Sequence, residues 1–240
     1  MEELRVEIDA ETRSALREAL EDMINPITID VFIDRKIPEC NEALKLVRIF
    51  EEASPIRGGK KLINFKVYFK DKDLEEFKRL GITRVPTFCL VDCKVQFVGL
   101  PVGEELRSIV ETIIRVSRGE SGLDKDTISI IASVKNRIVI DVIVTPPCPY
   151  CPYASLLANM FAYESWRVGK GNIISRVIEA FENPDIADKY GVTTVPAIAI
   201  NGKLVFVGVP YEEELAKRIK DIDEGREVSL EVIPPGETYS

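Results

Sequence analysis

The chain of 240 residues contains no histidine. This absence excludes a Ser-His-Asp triad, a histidine general base and any histidine-ligated metal site. Long apolar runs are absent too, and none reaches the ~18 residues that a transmembrane helix requires, so we expect no membrane span. The segment Met1-Glu2-Glu3-Leu4-Arg5 is acidic and has no apolar core, which argues against a secretory signal and makes the cytoplasm the expected location.

Positive charge is also scarce. The chain has 32 Lys and Arg residues against 40 Asp and Glu residues, for a formal net charge of −8, and no basic run is longer than Lys60-Lys61. Nucleic-acid binding usually needs a basic face, so we expect no nucleic-acid partner. With 45% hydrophobic and 30% charged residues, the composition is that of a soluble globular protein, and it leans toward a thermophilic source.

Only five cysteines are present, which argues against a secreted disulfide framework. One pair, Cys148 and Cys151, has the CxxC spacing of a redox centre or of half a zinc site. A zinc site normally takes four ligands, and the chain offers neither a histidine nor a second CxxC to complete them. We therefore predict no metal and no separate cofactor, only a redox-active disulfide between Cys148 and Cys151. A cluster bridged between two chains stays an alternative.

An internal repeat organises the chain. Three blocks of the first half align without gaps on the second half, at offsets of 111, 110 and 109 residues. The matched blocks are 29–40 with 140–151, 81–88 with 191–198, and 97–99 with 206–208. Because the blocks keep their order and the offset changes by only one residue at a time, we interpret the chain as a duplicated domain.

Each half has the same predicted order of elements: a helix, an apolar β-branched strand, a long helix, a strand, a short helix, a Val-Pro step into a β-hairpin, and a last helix. This order predicts an α/β fold, with a central mixed sheet flanked by helices in each unit. The predicted boundaries are residues 1–118 for the first unit, 119–123 for a linker, 124–226 for the second unit and 227–240 for an extended tail.

The motif Cys148-Pro149-Tyr150-Cys151 lies where an apolar strand gives way to a helix. We place Cys148 at or near the helix N-cap and Pro149 at the first helical position. Unpaired backbone N–H groups and the helix dipole stabilise a thiolate there, and such sites can lower a thiol pKa from about 8.5 to roughly 3.5–7.5. The sequence thus predicts Cys148 as an exposed attacking nucleophile and Cys151 as a shielded resolving thiol.

A second feature is the Val195-Pro196 step that opens a strand downstream of the CxxC. The CxxC at a strand–helix junction, this step, the hairpin and the last helix together resemble the thioredoxin and glutaredoxin fold. CPYC itself looks like the glutaredoxin active site. Two such units, over residues 10–224, resemble the protein disulfide oxidoreductases of hyperthermophiles.

The resemblance implies a tandem thioredoxin-like fold in which Pro196 is a cis-proline facing Cys148. It also implies that the backbone of Val195 pairs with a substrate peptide, beside a groove that Pro149 and Tyr150 help to form. The expected substrates are protein disulfides and dithiols, and the expected activity is to form, reduce or exchange protein disulfides. Reducing equivalents would come from a thioredoxin-reductase-type flavoenzyme.

Two other functions stay open. The first is a dithiol electron carrier between a flavin reductase and a peroxiredoxin, since the N-terminal domain of the alkyl hydroperoxide reductase flavoprotein also has two thioredoxin units with one working CxxC. The second is a non-catalytic peptide-binding module, with the first unit as a docking surface.

The sequence departs from the family pattern in the first unit, which has Ile37-Pro38-Glu39-Cys40 at the matched position. Ile37 replaces the nucleophile, so this unit cannot run a dithiol cycle alone. Cys40 is then a buried structural thiol or an auxiliary thiol. Pro146-Pro147 stand where many glutaredoxins have a lysine, which favours a protein substrate over glutathione.

Three further residues have open roles. Asp141, matched by Asp30 in the first unit, is a candidate for proton transfer to Cys151, although strand alternation favours a structural role. Cys89 and Cys93 flank a hairpin turn. They form either a disulfide bridge, which needs Cα atoms within about 7 Å, or a small core residue and a partly exposed thiol.

Overall fold

The computed structural model describes Val6 and residues 8–234. The helices of this part are α1 (Ala10–Leu20), α2 (Glu39–Ala53), α3 (Leu74–Leu80), α4 (Glu105–Arg118), α5 (Lys125–Ser133), α6 (Cys151–Arg167), α7 (Pro184–Tyr190) and α8 (Glu212–Asp223). The strands are β1 (Ile27–Ile33), β2 (Ile56–Arg57), β3 (Lys60–Lys61), β4 (Ile63–Phe69), β5 (Thr87–Leu90), β6 (Val95–Val98), β7 (Ile138–Val144), β8 (Ile173–Glu179), β9 (Ala197–Ile200), β10 (Lys203–Val207) and β11 (Glu231–Val232).

The two halves repeat one order of elements, so the predicted α/β duplication is confirmed. The series α1, β1, α2, β4, α3, β5, β6, α4 corresponds to α5, β7, α6, β8, α7, β9, β10, α8. The short hairpin of β2 and β3 is an insertion in the first half. The linker predicted at 119–123 lies between α4 and α5.

Within the described residues, one nine-stranded sheet runs through both halves, in the order β11-β10-β9-β7-β8-β6-β5-β1-β4. The halves join where β6 pairs in parallel with β8, with Val95 opposite Ser175. The sequence predicted a sheet in each half but not this junction. The pairing removes two exposed sheet edges, whose unpaired N–H and C=O groups would otherwise invite association with other chains.

The first strand of the second half shows how the sheet places the helices. In β7, Ile140 and Val142 are fully buried in the same core cluster as Cys151 of α6. Asp141, between them, points to the other face, where it contacts Tyr190 of α7. This alternation follows from the two-residue period of a strand. The active-site helix therefore packs on one face of the sheet and the short helix α7 on the other.

The carboxyl ends of β1 and β7 lie at the same edge of the sheet. β1 and β6 both run antiparallel to β5, β6 runs parallel to β8, and β8 runs parallel to β7. The segment 37–40 and the segment 148–151, which follow β1 and β7, are thus on one edge. Four strand spacings separate them, or about 19 Å.

The described part of the tail is more ordered than the sequence predicted. β11 pairs in parallel with β10, with Phe206 opposite Glu231. Gly208 has φ of 104°, and a Cβ at this position would collide with the carbonyl oxygen of Ile233, so glycine lets the tail approach. Residues 235–240 lie outside the described residues. Among the described helices, none is both long enough and apolar enough to cross a membrane.

Candidate active site

The CxxC segment joins the end of β7 to the start of α6. The Cys148 N–H donates to the Thr145 carbonyl over 3.1 Å, and the Cys151 N–H donates to the Cys148 carbonyl over 3.3 Å. The Cα atoms of Cys148 and Cys151 are 5.4 Å apart, and the two sulfurs are joined in a disulfide. This Cα separation is an ordinary one for a disulfide.

Helix α6 begins at Cys151 with Tyr150 as its N-cap residue, so the helix start predicted at Cys148-Pro149 was wrong by a few residues. The reason is the tight turn between Cys148 and Cys151, which replaces the first helical turn. The Sγ of Cys148 still accepts the Cys151 N–H over 3.1 Å, which is the kind of contact that an N-cap side chain makes. The sulfur therefore faces the positive end of α6.

The two cysteines differ in exposure. Cys148 is 8% exposed and Cys151 is fully buried. Cys148 is less exposed than the sequence predicted, because the cis-proline loop lies over it. Pro149 and Tyr150, between the two cysteines, are exposed to solvent. Of the pair, only Cys148 keeps any exposure to solvent in this state.

The Val195–Pro196 peptide is cis and lies against the disulfide. The carbonyl oxygen of Val195 is 3.8 Å from the Cys148 Sγ. The Gly208 N–H donates to the Pro196 carbonyl over 2.8 Å and holds the loop on the following hairpin strand. Val195 is half-buried, so its backbone remains near the surface beside the sulfur.

The first half has the same turn hydrogen bond and the same cis-proline, but Ile37 stands at the position of Cys148. The Cys40 N–H donates to the Ile37 carbonyl over 3.1 Å, just as Cys151 donates to Cys148. The Val85–Pro86 peptide is also cis. Where the second half has a sulfur, Ile37 presents an apolar side chain that is 36% exposed.

The remaining thiol of that turn, Cys40, is buried. Its Sγ accepts the Asp34 N–H over 3.3 Å. Burial raises the pKa of Cys40 to about 11. The thiol is therefore protonated at neutral pH and is a poor nucleophile.

Asp141 does not face the CxxC. Its Oδ1 accepts the Arg176 Nε–H over 2.6 Å, and its Oδ2 accepts the Arg176 Nη2–H over 2.7 Å and the Tyr190 hydroxyl over 2.6 Å. These partners lie on the face of the sheet opposite α6, so the structure does not support the proton-transfer role considered for Asp141. Strand alternation is the physical reason.

The matched residue Asp30 has a different environment. It lies opposite Lys66 on the neighbouring strand, and its Oδ1 is buried with no hydrogen-bond partner among the described residues. Burial raises the pKa of Asp30, and the charges of Lys66 and Arg79 offset part of this rise. The two aspartates thus share a position but not a network.

Sequence reasoning missed Glu105, a buried carboxyl beside the first turns of α6. Glu105 is 1% exposed, and its Oε2 accepts the Ser108 hydroxyl over 2.5 Å. Burial raises the pKa of Glu105 to about 7, although the hydroxyls of Ser108 and Ser155 lower it. Ser155 lies one helical turn beyond Cys151, on the same side of α6. Glu105 Oε1 and Ser155 Oγ complete no hydrogen bond within the described chain.

A row of buried polar side chains continues from Glu105 between α4 and α6. The Asn159 amide donates to the Thr112 hydroxyl over 3.1 Å and accepts the Ser175 hydroxyl over 2.8 Å. Glu105, Ser108 and Thr112 follow one another at helical spacing on one buried face of α4. That spacing was the available sequence signal, but it becomes informative only once the facing helix is known.

A backbone hydrogen bond joins the start of α4 to the loop before Cys148. The Glu104 N–H donates to the Pro146 carbonyl over 2.9 Å. Gly103 has φ of 61°, and a Cβ there would collide with the same carbonyl, so glycine permits this contact. The contact sets Glu105 close to the active-site loop, although the two belong to different halves.

A cavity of about 680 Å³ lies between α1, α4 and α6. Ser108 lines it, as do Pro152 and Tyr153, which directly follow Cys151. The Arg107 guanidinium lies 5.1 Å from the centre of the Tyr153 ring. The cavity reaches the surface at exposed residues of α4, whereas Glu105 does not line it and both Ser108 and Glu105 are 1% exposed.

Cys89 and Cys93 are paired, which decides between the two alternatives that the sequence left. Their Cα atoms are 4.6 Å apart and the sulfurs are joined in a disulfide across the β5–β6 turn. Both residues are buried, so the alternative of a partly exposed Cys93 thiol was wrong. Within the described residues, no group of three or more Cys, Asp or Glu side chains is placed to hold a metal ion.

Comparisons with known proteins match both the site and the fold. A family model described as thioredoxin domain matches residues 138–220, which span the CxxC and the cis-proline. The thioredoxin of Methanocaldococcus jannaschii is 34% identical over 85 residues, which cover 35% of this chain and 95% of that protein. A crystal structure of a protein disulfide oxidoreductase from Aeropyrum pernix K1 is 48% identical, superposes with a TM-score of 0.91, and covers 93% of this chain and 97% of that one.

The chain belongs to the protein disulfide oxidoreductase family. It is a thiol–disulfide oxidoreductase, and the resemblance to this family that the two tandem units indicated is confirmed. The F component of the alkyl hydroperoxide reductase of Pseudomonas aeruginosa is 25% identical over 215 residues, which cover 88% of this chain but 37% of that protein. The oxidoreductase therefore spans little more than a third of that relative.

Proposed function

We propose that the Cys148–Cys151 pair carries the thiol–disulfide chemistry of this oxidoreductase on protein substrates. In the reducing direction, the Cys148 thiolate attacks a substrate disulfide, and one substrate sulfur leaves as a thiolate and takes a proton. Cys151 then attacks the mixed disulfide, releases the second substrate thiol and forms the Cys148–Cys151 disulfide. Oxidation of a substrate dithiol is the reverse sequence.

The observation that supports this assignment is the placement of the Cys148 sulfur. It belongs to the less buried residue of the pair, it accepts an N–H at the start of α6, and it lies 3.8 Å from the Val195 carbonyl oxygen. An extended substrate segment can hydrogen-bond to the Val195 backbone and bring its own sulfur to Cys148. The exposed Pro149 and Tyr150 would then form the other wall of the groove.

Glu105 is proposed to exchange protons at the buried Cys151 thiol. Cys151 must lose a proton before it attacks the mixed disulfide, and it is fully buried. A carboxyl whose pKa is about 7 is suited to accept and return a proton at neutral pH. Glu105 lies beside the first turns of α6, where the Ser155 hydroxyl acts on its pKa, and Ser155 is one helical turn beyond Cys151.

Three single variants test the roles of the cysteines. Cys148→Ser should abolish insulin reduction, and Cys151→Ser should accumulate a mixed disulfide at Cys148 that non-reducing electrophoresis detects. Cys40→Ser is the matched control, because Cys40 has a protonated, buried thiol, and it should keep the activity. A mixed disulfide at Cys151 in the Cys148→Ser protein, with activity retained, would refute the assignment.

The likeness to the F component of alkyl hydroperoxide reductase supports exchange of electrons with other redox proteins. As the finer proposal, a thioredoxin-reductase-type flavoenzyme reduces the Cys148–Cys151 disulfide. The test mixes the oxidoreductase with such a flavoenzyme, a nicotinamide cofactor and insulin. Cofactor oxidation should require all components and should stop with Cys148→Ser.

The same likeness favours a second candidate function, a dithiol electron carrier between a flavin reductase and a peroxiredoxin. In that role the chain would be reduced by the flavoenzyme and would pass two electrons to an oxidised peroxiredoxin. Adding a peroxiredoxin and an alkyl hydroperoxide to the mixture, in place of insulin, distinguishes the two. Fast hydroperoxide turnover without insulin reduction would favour the carrier, and the opposite result would favour action on protein disulfides.

A further inference from the structure

The Cys89–Cys93 disulfide lies far from the CxxC. β5 runs antiparallel to β1, and the turn after β5 is at the opposite edge of the sheet from the segments 37–40 and 148–151. Trp166, which contacts this turn, is 15 residues beyond Cys151 on α6, or about 22 Å along the helix. The bridge therefore takes no direct part in the chemistry at Cys148.

The backbone of this turn is unusual. Val91, Asp92 and Cys93 have φ of 55°, 53° and 57°, so three consecutive residues other than glycine are left-handed. Such conformations are unfavourable for L-residues, most of all for a β-branched one such as Val91. An ordinary sequence would relax out of this turn unless something holds it.

The corresponding turn of the second half has a different sequence and no disulfide. There, Asn201 and Gly202 join β9 to β10 with φ of 49° and 85°. Asn and Gly are the residues that adopt left-handed conformations at the lowest cost, and they form this kind of hairpin turn readily. The first half has no glycine at its turn and instead has a cysteine on either side of Val91-Asp92. The disulfide holds the turn that Asn-Gly forms unaided.

The held turn contacts the second half at two points. Asp92 Oδ2 accepts the Trp166 Nε1–H over 2.8 Å at the end of the active-site helix. The Lys94 carbonyl accepts the Ser175 N–H over 2.8 Å, where β6 joins β8. Within the turn, the Gln96 amide donates to the Cys93 carbonyl over 2.9 Å. The conformation of residues 91–94 thus places the Asp92 carboxylate and the Lys94 carbonyl where they accept hydrogen bonds from α6 and β8.

We propose that Cys89–Cys93 is a second redox site of this chain, one whose oxidised form clamps the β5–β6 turn against α6 and the β6–β8 junction. Its reaction partner is a dithiol. A thiolate of the dithiol attacks one cysteine sulfur, and the other cysteine leaves as a thiolate and is protonated. The second thiol of the dithiol attacks the mixed disulfide, gives up its proton to the departing cysteine and closes the oxidised dithiol, so two electrons and two protons reach the chain.

Burial sets the rate of this reaction. Cys89 and Cys93 are both buried, so a dithiol reaches them only when the turn opens. Reduction should therefore be slower than at Cys148. Once the bridge is broken, the turn keeps two hydrogen bonds, from the Lys94 N–H to the Val91 carbonyl and from the Gln96 side chain to the Cys93 carbonyl. The cost of three left-handed residues outweighs them, so the turn relaxes and the Asp92–Trp166 hydrogen bond is lost.

The single tryptophan of the chain, Trp166, reports on this event. The full chain carrying Cys148→Ser and Cys151→Ser, so that only this bridge can be reduced, is equilibrated in mixtures of reduced and oxidised dithiothreitol. Acid quenching, alkylation and mass spectrometry measure the reduced fraction of Cys89 and Cys93. Tryptophan emission is recorded on the same samples, and far-UV circular dichroism verifies that the chain stays folded.

Both cysteines should become alkylated together, and the emission should shift with the same midpoint. In the same background, Asp92→Ala removes the carboxylate that accepts the Trp166 indole N–H. Cys89 and Cys93 should still be reduced with the same midpoint, but the tryptophan emission should no longer shift with their reduction. Adding Cys89→Ser and Cys93→Ser should make the emission independent of dithiothreitol. The proposal is overturned if Cys89 and Cys93 are already alkylated in folded protein never exposed to reductant. It is overturned equally if the pair resists the highest dithiothreitol ratio, or if the emission ignores its reduction.

Discussion

The backbone N–H of Cys151 donates to the Sγ of Cys148 over 3.1 Å, so the nucleophilic sulfur occupies the place of a helix-capping side chain. In the reduced protein, the same N–H and the dipole of α6 would stabilise a Cys148 thiolate. Under the proposed function, this contact would activate the thiol of a chain that has neither a histidine nor a lysine just before the motif.

Alkylation of the reduced protein should therefore show one fast thiol. We expect Cys148 to react with an apparent pKa below the ordinary value of about 8.5. Cys40, whose pKa burial raises to about 11, should stay unreacted while the chain is folded. Iodoacetamide rates between pH 4 and 9, with mass spectrometry of the labelled peptides, measure both. Preferential labelling of Cys151 would reverse the assigned roles.

Glu105→Gln should change the pH dependence of stability. The folded-state pKa of Glu105, about 7, lies above its ordinary value of 4.5, so the folded chain binds one more proton than the unfolded chain between these values. The free energy of unfolding of the wild type should therefore decrease as pH rises from 4.5 to about 7. The variant lacks this carboxyl, so its free energy of unfolding should decrease less over the same range. At pH 8 the variant should be more stable by about 1–3 kcal/mol.

Urea unfolding at pH 5 and pH 8 measures this difference. Glu182→Gln is the matched control, because burial also raises the pKa of Glu182 to about 7 but its carboxylate binds the Leu100 N–H instead of facing α6. Both variants should alter the pH dependence of stability. Only Glu105→Gln should also slow release of substrate from the mixed disulfide, by about tenfold or more. Equal release rates in the two variants would leave Glu105 without a role in catalysis.

Asp141→Asn and Asp30→Asn should affect the stability of the fold differently, although the residues are matched in the repeat. Asp141→Asn breaks a buried pair with Arg176 and the hydrogen bond from Tyr190, and it should destabilise the fold by about 2–4 kcal/mol. The pair is partly open to solvent at Arg176, which keeps this value below that of a fully buried pair.

Asp30→Asn removes a carboxylate that burial disfavours and that leaves Oδ1 without a partner, so stability at pH 7 should be unchanged or higher. Urea unfolding at pH 7 measures both variants. Neither should alter the pH profile of Cys148 alkylation, because both carboxyls lie on the face opposite the active-site helices. A shifted profile in Asp141→Asn would revive a proton-transfer role for that residue.

Ile37→Cys should restore a second CxxC. The Ile37 carbonyl already accepts the Cys40 N–H, and the cis Val85–Pro86 peptide is in place, so the frame matches that of the second half. Under mild oxidation, the new thiol should pair with Cys40, which non-reducing peptide mapping detects. Ile37→Ser is the control and should leave Cys40 free. If Cys40 remained an unpaired thiol in oxidised Ile37→Cys, the two frames would not be equivalent.

Much of the fold was predictable from the sequence. The repeat predicted the order of the strands and helices that the two halves share, because apolar periodicity and the Val-Pro steps are local signals. The short strands β2, β3 and β11 were not predicted. The β6–β8 junction was not predictable, since both strands have ordinary apolar sequences and nothing in them specifies which edge each will meet. The helix start at Cys151 also differed, because a tight turn between Cys148 and Cys151 replaces the first helical turn.

The chain's own sequence determined which residues can do the chemistry: one CxxC, no histidine, and a matched first-half site without its nucleophile. Tertiary structure alone decided which groups surround them. It turned Asp141 away from Cys151 through strand alternation, brought Glu105 of the first half against α6 of the second, and paired Cys89 with Cys93. The reason is physical: local pattern specifies a residue's chemistry and element, whereas its burial, pKa and partners depend on how the folded elements pack together.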